Sequence, residues 1–251
     1  MSPVIKKIDF EKDSLGKYSL EKLEKSWGNV IVSRGVKEGR CSIDVDDQTR
    51  KNCLQISYEK NKVGLKNGGA AWRTNLGHSF DEIFIQYKVK FLSDFNFVLG
   101  GKLPGIGGGS LPTGGMVADE KGFTVRAMWF GNDGGAVQYV YYMDKGLEKK
   151  WGERTSWMKN GESLCFKPGK WHTVKMRVKM NSSDKKDGII QSWLDGDMVM
   201  NQKRRFRNDD KMGTDTFIFT TFFGGNTPDW ASTKEEKIRF SDFIISSEDI
   251  V

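Results

Sequence analysis

Two β-like runs hold the residues best placed to do chemistry, FTVRAMWF at 123–130 and AVQYVYYMD at 136–144. Alternation puts Thr124, Arg126 and Met128 on one face of the first run, with Phe123, Val125, Ala127 and Trp129 on the other. On the second run Val137, Tyr139, Tyr141 and Met143 share a face. Asn132, Asp133, Gly134 and Gly135 between the runs read as a hairpin turn. A turn centred on Asn132 and Asp133 sets Arg126 opposite Tyr139 and Thr124 opposite Tyr141. Directly opposed side chains on one face lie within roughly 4.5–5.5 Å at Cβ. A guanidinium, a hydroxyl and two phenols then form one patch. No acidic residue lies in that patch, and an unpaired arginine does not belong in a core. The face therefore looks into a wet groove while Phe123, Val125 and Trp129 pack inward.

Such a patch suits an elimination. A 4-linked uronate breaks when the proton beside its carboxylate is removed and the 4-oxygen is expelled. That proton is weakly acidic, so the carboxylate charge must be neutralised and the developing enolate stabilised. A planar guanidinium matches a carboxylate and keeps its charge. A base and an acid must also flank the ring, and tyrosine can serve as either. Lys102, in GGKLPGIGGGSLPTGG at 100–115, offers a further cation or a direct contact to the enolate. That stretch reads as a long glycine-rich loop that frames a site or moves.

The elements that must hold this patch are strands. Alternating runs rich in β-branched and aromatic residues fill the chain, among them EIFIQYKVKFL, WHTVKMRVKM, GIIQSWLDG and KIRFSDFIIS. Helical spacing is clear only in SLEKLEKSW, where Leu20, Leu23 and Trp27 share a face. With 29 glycines, 5 prolines and no linker-like stretch in 251 residues, the reading is one all-β domain over 1–251. Two stacked antiparallel sheets with a groove across one of them are expected.

Lysine plus arginine total 40 against 33 acids, and this net charge of +7 favours an anionic partner. Cys41, Cys53 and Cys165 are too few for a disulfide framework. A turn near Thr49 places Cys41 opposite Ser57, so the thiols stay reduced. The N-terminus shows no signal-peptide core, and no run approaches a membrane span, so a soluble monomer with no membrane partner is expected.

At GGKLPGIGGG, FTVRAMWF, QYVYY, PGKWHTVKMRVKMN, SWLDG and TTFFGG the sequence resembles polysaccharide lyase family 14, across roughly 69–245. That family acts on alginate and glucuronans; a weaker likeness runs to the glucuronan lyases of family 20. The resemblance implies a β-jelly-roll sandwich and cleavage of an acidic extracellular or cell-wall polysaccharide, with no cofactor required. It implies functional roles for Lys102, Arg126, Tyr139 and Tyr141. Where the family has a serine this chain has Thr124, which keeps the hydroxyl and adds a methyl. Arg73, His78 and Gln138 are candidate substrate contacts.

Other features read as structural. His172 opens a strand. The basic stretch QKRRFR at 202–207 has no accompanying nucleic-acid motif and reads as a solvated charge run. Two histidines and scattered cysteines argue against a catalytic zinc site. Asp44 and Asp46 lack the glutamate pair of a glycosidase. Asp242, with Asp9 or Glu11, is a candidate structural calcium site. Thr220 and Phe222 share one face of their run, Thr221 and Phe223 the other, and GGNTPDW beyond them is a candidate groove rim. The runner-up function is a non-catalytic binding module for acidic polysaccharide, which would need aromatic platforms and cations but no phenols paired beside an arginine.

Overall fold

The computed structural model describes residues 3–145 and 150–250. In chain order the strands begin β1 (Val4–Ile8), β2 (Gly16–Lys17), β3 (Val30–Arg34), β4 (Cys41–Val45), β5 (Asn52–Tyr58), β6 (Ala70–Phe80), β7 (Glu82–Phe91), β8 (Gly100–Gly109) and β9 (Gly122–Phe130). They continue β10 (Gly135–Tyr141), β11 (Glu153–Ser156), β12 (Met158–Lys159), β13 (Glu162–Ser163), β14 (Trp171–Lys179), β15 (Gly188–Leu194), β16 (Asp197–Arg204), β17 (Thr214–Phe223) and β18 (Glu236–Ser246). The front sheet runs β11-β10-β9-β8-β17-β6-β3. The back sheet runs β16-β15-β14-β7-β18-β5-β4-β2, with β1 added beside β18. Every pairing recorded in the two sheets is antiparallel. This is the sandwich expected from alternation.

One hydrophobic core joins the sheets, drawing on Trp72, Phe123, Val125, Trp129 and Phe217 in front and Tyr87, Val89, Phe240 and Phe243 behind. Rings interlock across the gap: Phe219 meets Phe240 at 5.1 Å edge-on and stacks on Trp72 at 3.8 Å. The one long helix, α1 (Leu20–Trp27), starts where Ser19 Oγ accepts from the Lys22 N–H at 3.2 Å. It buries Leu23 and Trp27, and Trp27 stacks on Phe217.

Two expectations fail here. Most of the glycine-rich stretch is not a loop: residues 100–109 form β8, in the middle of the front sheet between β9 and β17, and only 110–115 lie outside a strand. Glycine belongs there because the neighbours come too close for a side chain. A Cβ on Gly101 would lie 2.1 Å from Trp129 Cζ2, and one on Gly105 would lie 2.1 Å from the Val125 carbonyl oxygen. The ladder shifts register between Lys102 and Gly105, around Pro104, which has no N–H to offer. The second correction is small. Cys41 pairs with Ile56 rather than Ser57, because the turn closes with Val45 opposite Asn52. The cysteines remain free.

Candidate functional site

The hairpin of β9 and β10 sets Arg126 opposite Tyr139 and Thr124 opposite Tyr141, the register that a turn at Asn132 and Asp133 requires. Val125, Ala127 and Trp129 point into the core, while Met128, Tyr139 and Tyr141 form a second, smaller apolar cluster on the outer side of the sheet. The two phenol oxygens lie 3.2 Å apart, with the rings edge to face. The backbone N–H of Gly152 donates to Tyr139 Oη at 3.1 Å.

Lys102 reaches the same place from β8. Its Nζ stands 4.4 Å from the centre of the Tyr139 ring and contacts Met128 Sδ and the Gly224 carbonyl. The Arg126 guanidinium carbon is 5.5 Å from that ring, and its buried Nε has no hydrogen-bond partner. These groups line a groove of about 740 Å³ that also takes in Arg34, Arg73 and Arg154. No aspartate or glutamate is among its described lining residues. Five arginines elsewhere are paired with acids: Arg177 with Glu82, Arg204 with Glu153, Arg205 with Asp144, Arg207 with Asp81, and Arg239 with Asp46. The groove thus concentrates positive charge and leaves it unneutralised.

That crowding acts on the ionisable groups. Burial, then the charges of Arg126 and Arg154, holds the Lys102 ammonium well below its usual 10.5. The shift favours the neutral amine, the form able to accept a proton. Burial pushes the Tyr141 phenol up, with the Tyr139 hydroxyl adding to the effect and Arg126 opposing it. Tyr141 therefore keeps its proton. It is fully buried and does not line the groove, whereas Tyr139 does.

The other candidates divide. Arg73, on β6, lines the groove. Thr220 and Phe222 also face it, while Phe223 packs in the core. The segment carrying Gly224, Gly225, Asn226 and Trp230 forms part of the rim. Thr124 reaches no groove surface: it is fully buried, and its hydroxyl donates to the Pro112 carbonyl at 2.9 Å. Gln138 faces the opposite way, into the inter-sheet core. Its Nε2 donates to the Arg126 carbonyl at 2.8 Å and its Oε1 accepts from Ser192 Oγ at 2.6 Å, so it is not available to substrate. Its strand neighbours explain this, since period-2 alternation that exposes Tyr139 must bury Gln138. His78 lies exposed toward the end of β6, edge-on to Phe80, and does not line the groove.

Arg154, Arg34, Trp151 and Gly152 line the groove without having stood out in the sequence. Arg154 lies on a four-residue strand, too short for alternation to register, with its guanidinium 3.8 Å from the Phe130 ring centre.

Groups read as structural sit away from the groove. His172 is buried, with Nδ1 2.9 Å from Asp195 Oδ2 and Nε2 accepting from the Lys167 N–H at 2.8 Å. Asp46 is buried between Lys90 and Arg239. Asp242 pairs with Lys88 and Glu11 with Lys51. Among the described residues no group of three or more His, Cys, Asp or Glu is placed to hold a metal ion. No helix among them is long and apolar enough to cross a membrane.

The family model described as Polysaccharide lyase 14 matches residues 46–243. A search of curated protein sequences finds no match. Among solved structures, alginate lyase Aly36B aligns with a TM-score of 0.84 and 23% identity, covering 100% of this chain and 99% of that one. A mutant of that lyase is solved in complex with an alginate trisaccharide. The alginate lyase of Aplysia kurodai aligns at 0.79 and 22% identity, covering 98% and 99%. The glucuronan lyase of the fungus Trichoderma reesei aligns at 0.58 and 12% identity, covering 96% and 94%. These likenesses support the jelly-roll sandwich.

Proposed function

The chain belongs to the polysaccharide lyase 14 family, and on that premise we propose that it cleaves a 4-linked polyuronate by β-elimination, leaving a 4,5-unsaturated uronate end. The observation that carries this reading is a groove with no acid among its described lining residues, in which Arg126 and Lys102 converge on Tyr139. A substrate bearing a carboxylate on every sugar supplies the missing negative charge. Alginate is the first polymer to assay, since it is what the aligned lyases act on.

In this reading Arg126 receives the carboxylate of the reacting sugar, with Arg73 farther along the groove. Neutralising that charge acidifies the C5 proton and stabilises the enolate. Lys102, whose amine form is favoured by burial and its cationic neighbours, accepts the C5 proton. The C5–H electrons form the C4–C5 double bond as the C4–O4 bond breaks. The Tyr139 hydroxyl donates its proton to O4. The Lys102 ammonium then returns a proton to the Tyr139 phenolate beside it, which resets the site. All groups needed for turnover come from the chain itself.

The test is ultraviolet absorbance of unsaturated uronate ends across alginate, mannuronate-rich and guluronate-rich blocks, glucuronan and a neutral glucan. Signal on at least one polyuronate and none on the glucan is expected. Chain scission without the unsaturated chromophore would refute elimination. Tight binding of a polyuronate with no scission would favour the binding-module reading instead.

A further inference from the structure

The Tyr139 oxygen touches two groups at once. Gly152 N–H donates to it at 3.1 Å, and the Tyr141 oxygen lies 3.2 Å away. A phenol oxygen has one proton to give and two lone pairs to fill. Tyr141 is wholly buried and does not line the groove, whereas Tyr139 does. We propose that the Gly152 backbone N–H is a positioning group for the Tyr139 phenol. With the Tyr141 hydroxyl it fills both acceptor positions of the Tyr139 oxygen, turns the Tyr139 proton toward the groove, and stabilises the phenolate left after that proton goes to O4. This rests on the elimination reading and adds to it two groups that never touch substrate.

Three further observations fit. The first is the identity of residue 152. Its backbone is not in the left-handed region, so no turn requires glycine there. The requirement comes from contact: a Cβ would lie 2.8 Å from Tyr141 Cε2 and 2.9 Å from Tyr139 Cζ. Only glycine lets the amide approach the phenol pair. The second is the anchoring of the segment. Gly115 N–H donates to the Lys150 carbonyl at 3.2 Å, which ties residues 110–121 to the stretch just before Gly152. Thr124 in turn holds those residues through its bond to the Pro112 carbonyl. The buried hydroxyl of Thr124 thus supports the wall that carries the amide. The third is charge. Lys102 on β8, Arg126 on β9 and Arg154 on β11 surround Tyr139, and Tyr141 follows it on β10. All three cations favour a transient phenolate, and the two hydrogen-bond donors fix where its proton started.

The test compares two substrates. One is the polyuronate, whose O4 must be protonated on leaving. The other is a short uronide carrying fluoride at C4, which leaves without a proton. Gly152→Ala and Tyr141→Phe should each lower kcat on the polymer by about a hundredfold, the scale for losing a preorganised donor to a developing oxyanion. KM should stay within about twofold, since the carboxylate-binding cations are untouched. On the fluoride substrate both variants should retain most of the wild-type kcat. Equal losses on the two substrates would assign Gly152 and Tyr141 a merely structural role and overturn the proposal, and so would unchanged kcat on the polymer. If Gly152→Ala does not fold, Tyr141→Phe decides alone by the same comparison. Failure of the elimination reading looks different, because wild-type protein would then release neither fluoride nor unsaturated ends.

Discussion

Gly105→Ala tests whether the catalytic strands need the close approach seen at β8. Gly105 pairs with Arg126 in the β8–β9 ladder. A Cβ there would meet the Val125 carbonyl oxygen at 2.1 Å, Arg126 Cα at 2.6 Å and Arg126 Cγ at 2.9 Å. Ordinary contact for such atoms begins near 3.4 Å. The strands must therefore part by more than an ångström, and two of the three clashes are with backbone that cannot rotate away. Overpacking of this kind costs typically 1–3 kcal/mol, and the fixed backbone puts this case near the top, about 3 kcal/mol. For a chain of this size that corresponds to a melting temperature lowered by roughly 6–12 °C. Because the displaced residue is Arg126, KM for the polyuronate should rise as well. Differential scanning calorimetry and initial-rate kinetics on the same preparation read both effects. Gly68→Ala is the control, since a Cβ there meets nothing closer than 3.4 Å. The reasoning is wrong if Gly105→Ala melts within about 2 °C of wild type and keeps its KM.

Four more outcomes are expected. Arg126→Ala should abolish turnover, and Tyr139→Phe should lower kcat by about 10²–10⁴-fold with the fold intact by circular dichroism. The kcat/KM profile should rise with pH through an ionisation far below 10.5, because Lys102 must lose its proton and its burial and cationic neighbours favour that loss. Arg154→Ala removes part of the repulsion, so its rising limb should shift to higher pH; an unmoved limb would exclude Lys102 as the base. Asp46→Asn removes the buried carboxylate shared by Lys90 and Arg239, leaves Lys90 only its 3.3 Å contact with the exposed Asp47, and should cost about 3 kcal/mol in urea unfolding. Burial alone would raise the Asp46 pKa, but the Lys90 and Thr49 hydrogen bonds outweigh it and hold the carboxyl below 3.8; its stabilisation is therefore present above that value and fades as pH falls below it. Lys102 and Tyr139 approach the groove together, so elimination should be syn, and mannuronate or glucuronate blocks should be cut faster than guluronate blocks. Initial rates on the separated blocks decide it.

What was legible in the sequence was whatever a two-residue period controls. The β9–β10 hairpin could be registered because one face is continuously apolar and the turn residues fix its centre, and a slip of one residue would have turned Tyr139 and Tyr141 to the face opposite Arg126. Gln138 shows the same rule from the other side. Its amide suggests a ligand contact, but its position in the alternation commits it to the core, where the Arg126 carbonyl and Ser192 satisfy it. Position outranks residue type there. β8 was illegible for the converse reason. Glycine has no side chain to alternate, and what makes 100–109 a strand is the nearness of Trp129 and Val125, which lie some twenty or more residues later. The cations of the groove pose a third kind of problem. Arg34, Arg73, Lys102, Arg126 and Arg154 come from five strands, each a single basic residue in its own segment. No local pattern distinguishes Arg34 and Arg154 from the arginines that are paired with acids elsewhere. Sheet order brings them together, and only after it is known does the absence of a carboxylate among them become visible. That absence, more than any one residue, is what asks for a polyanion.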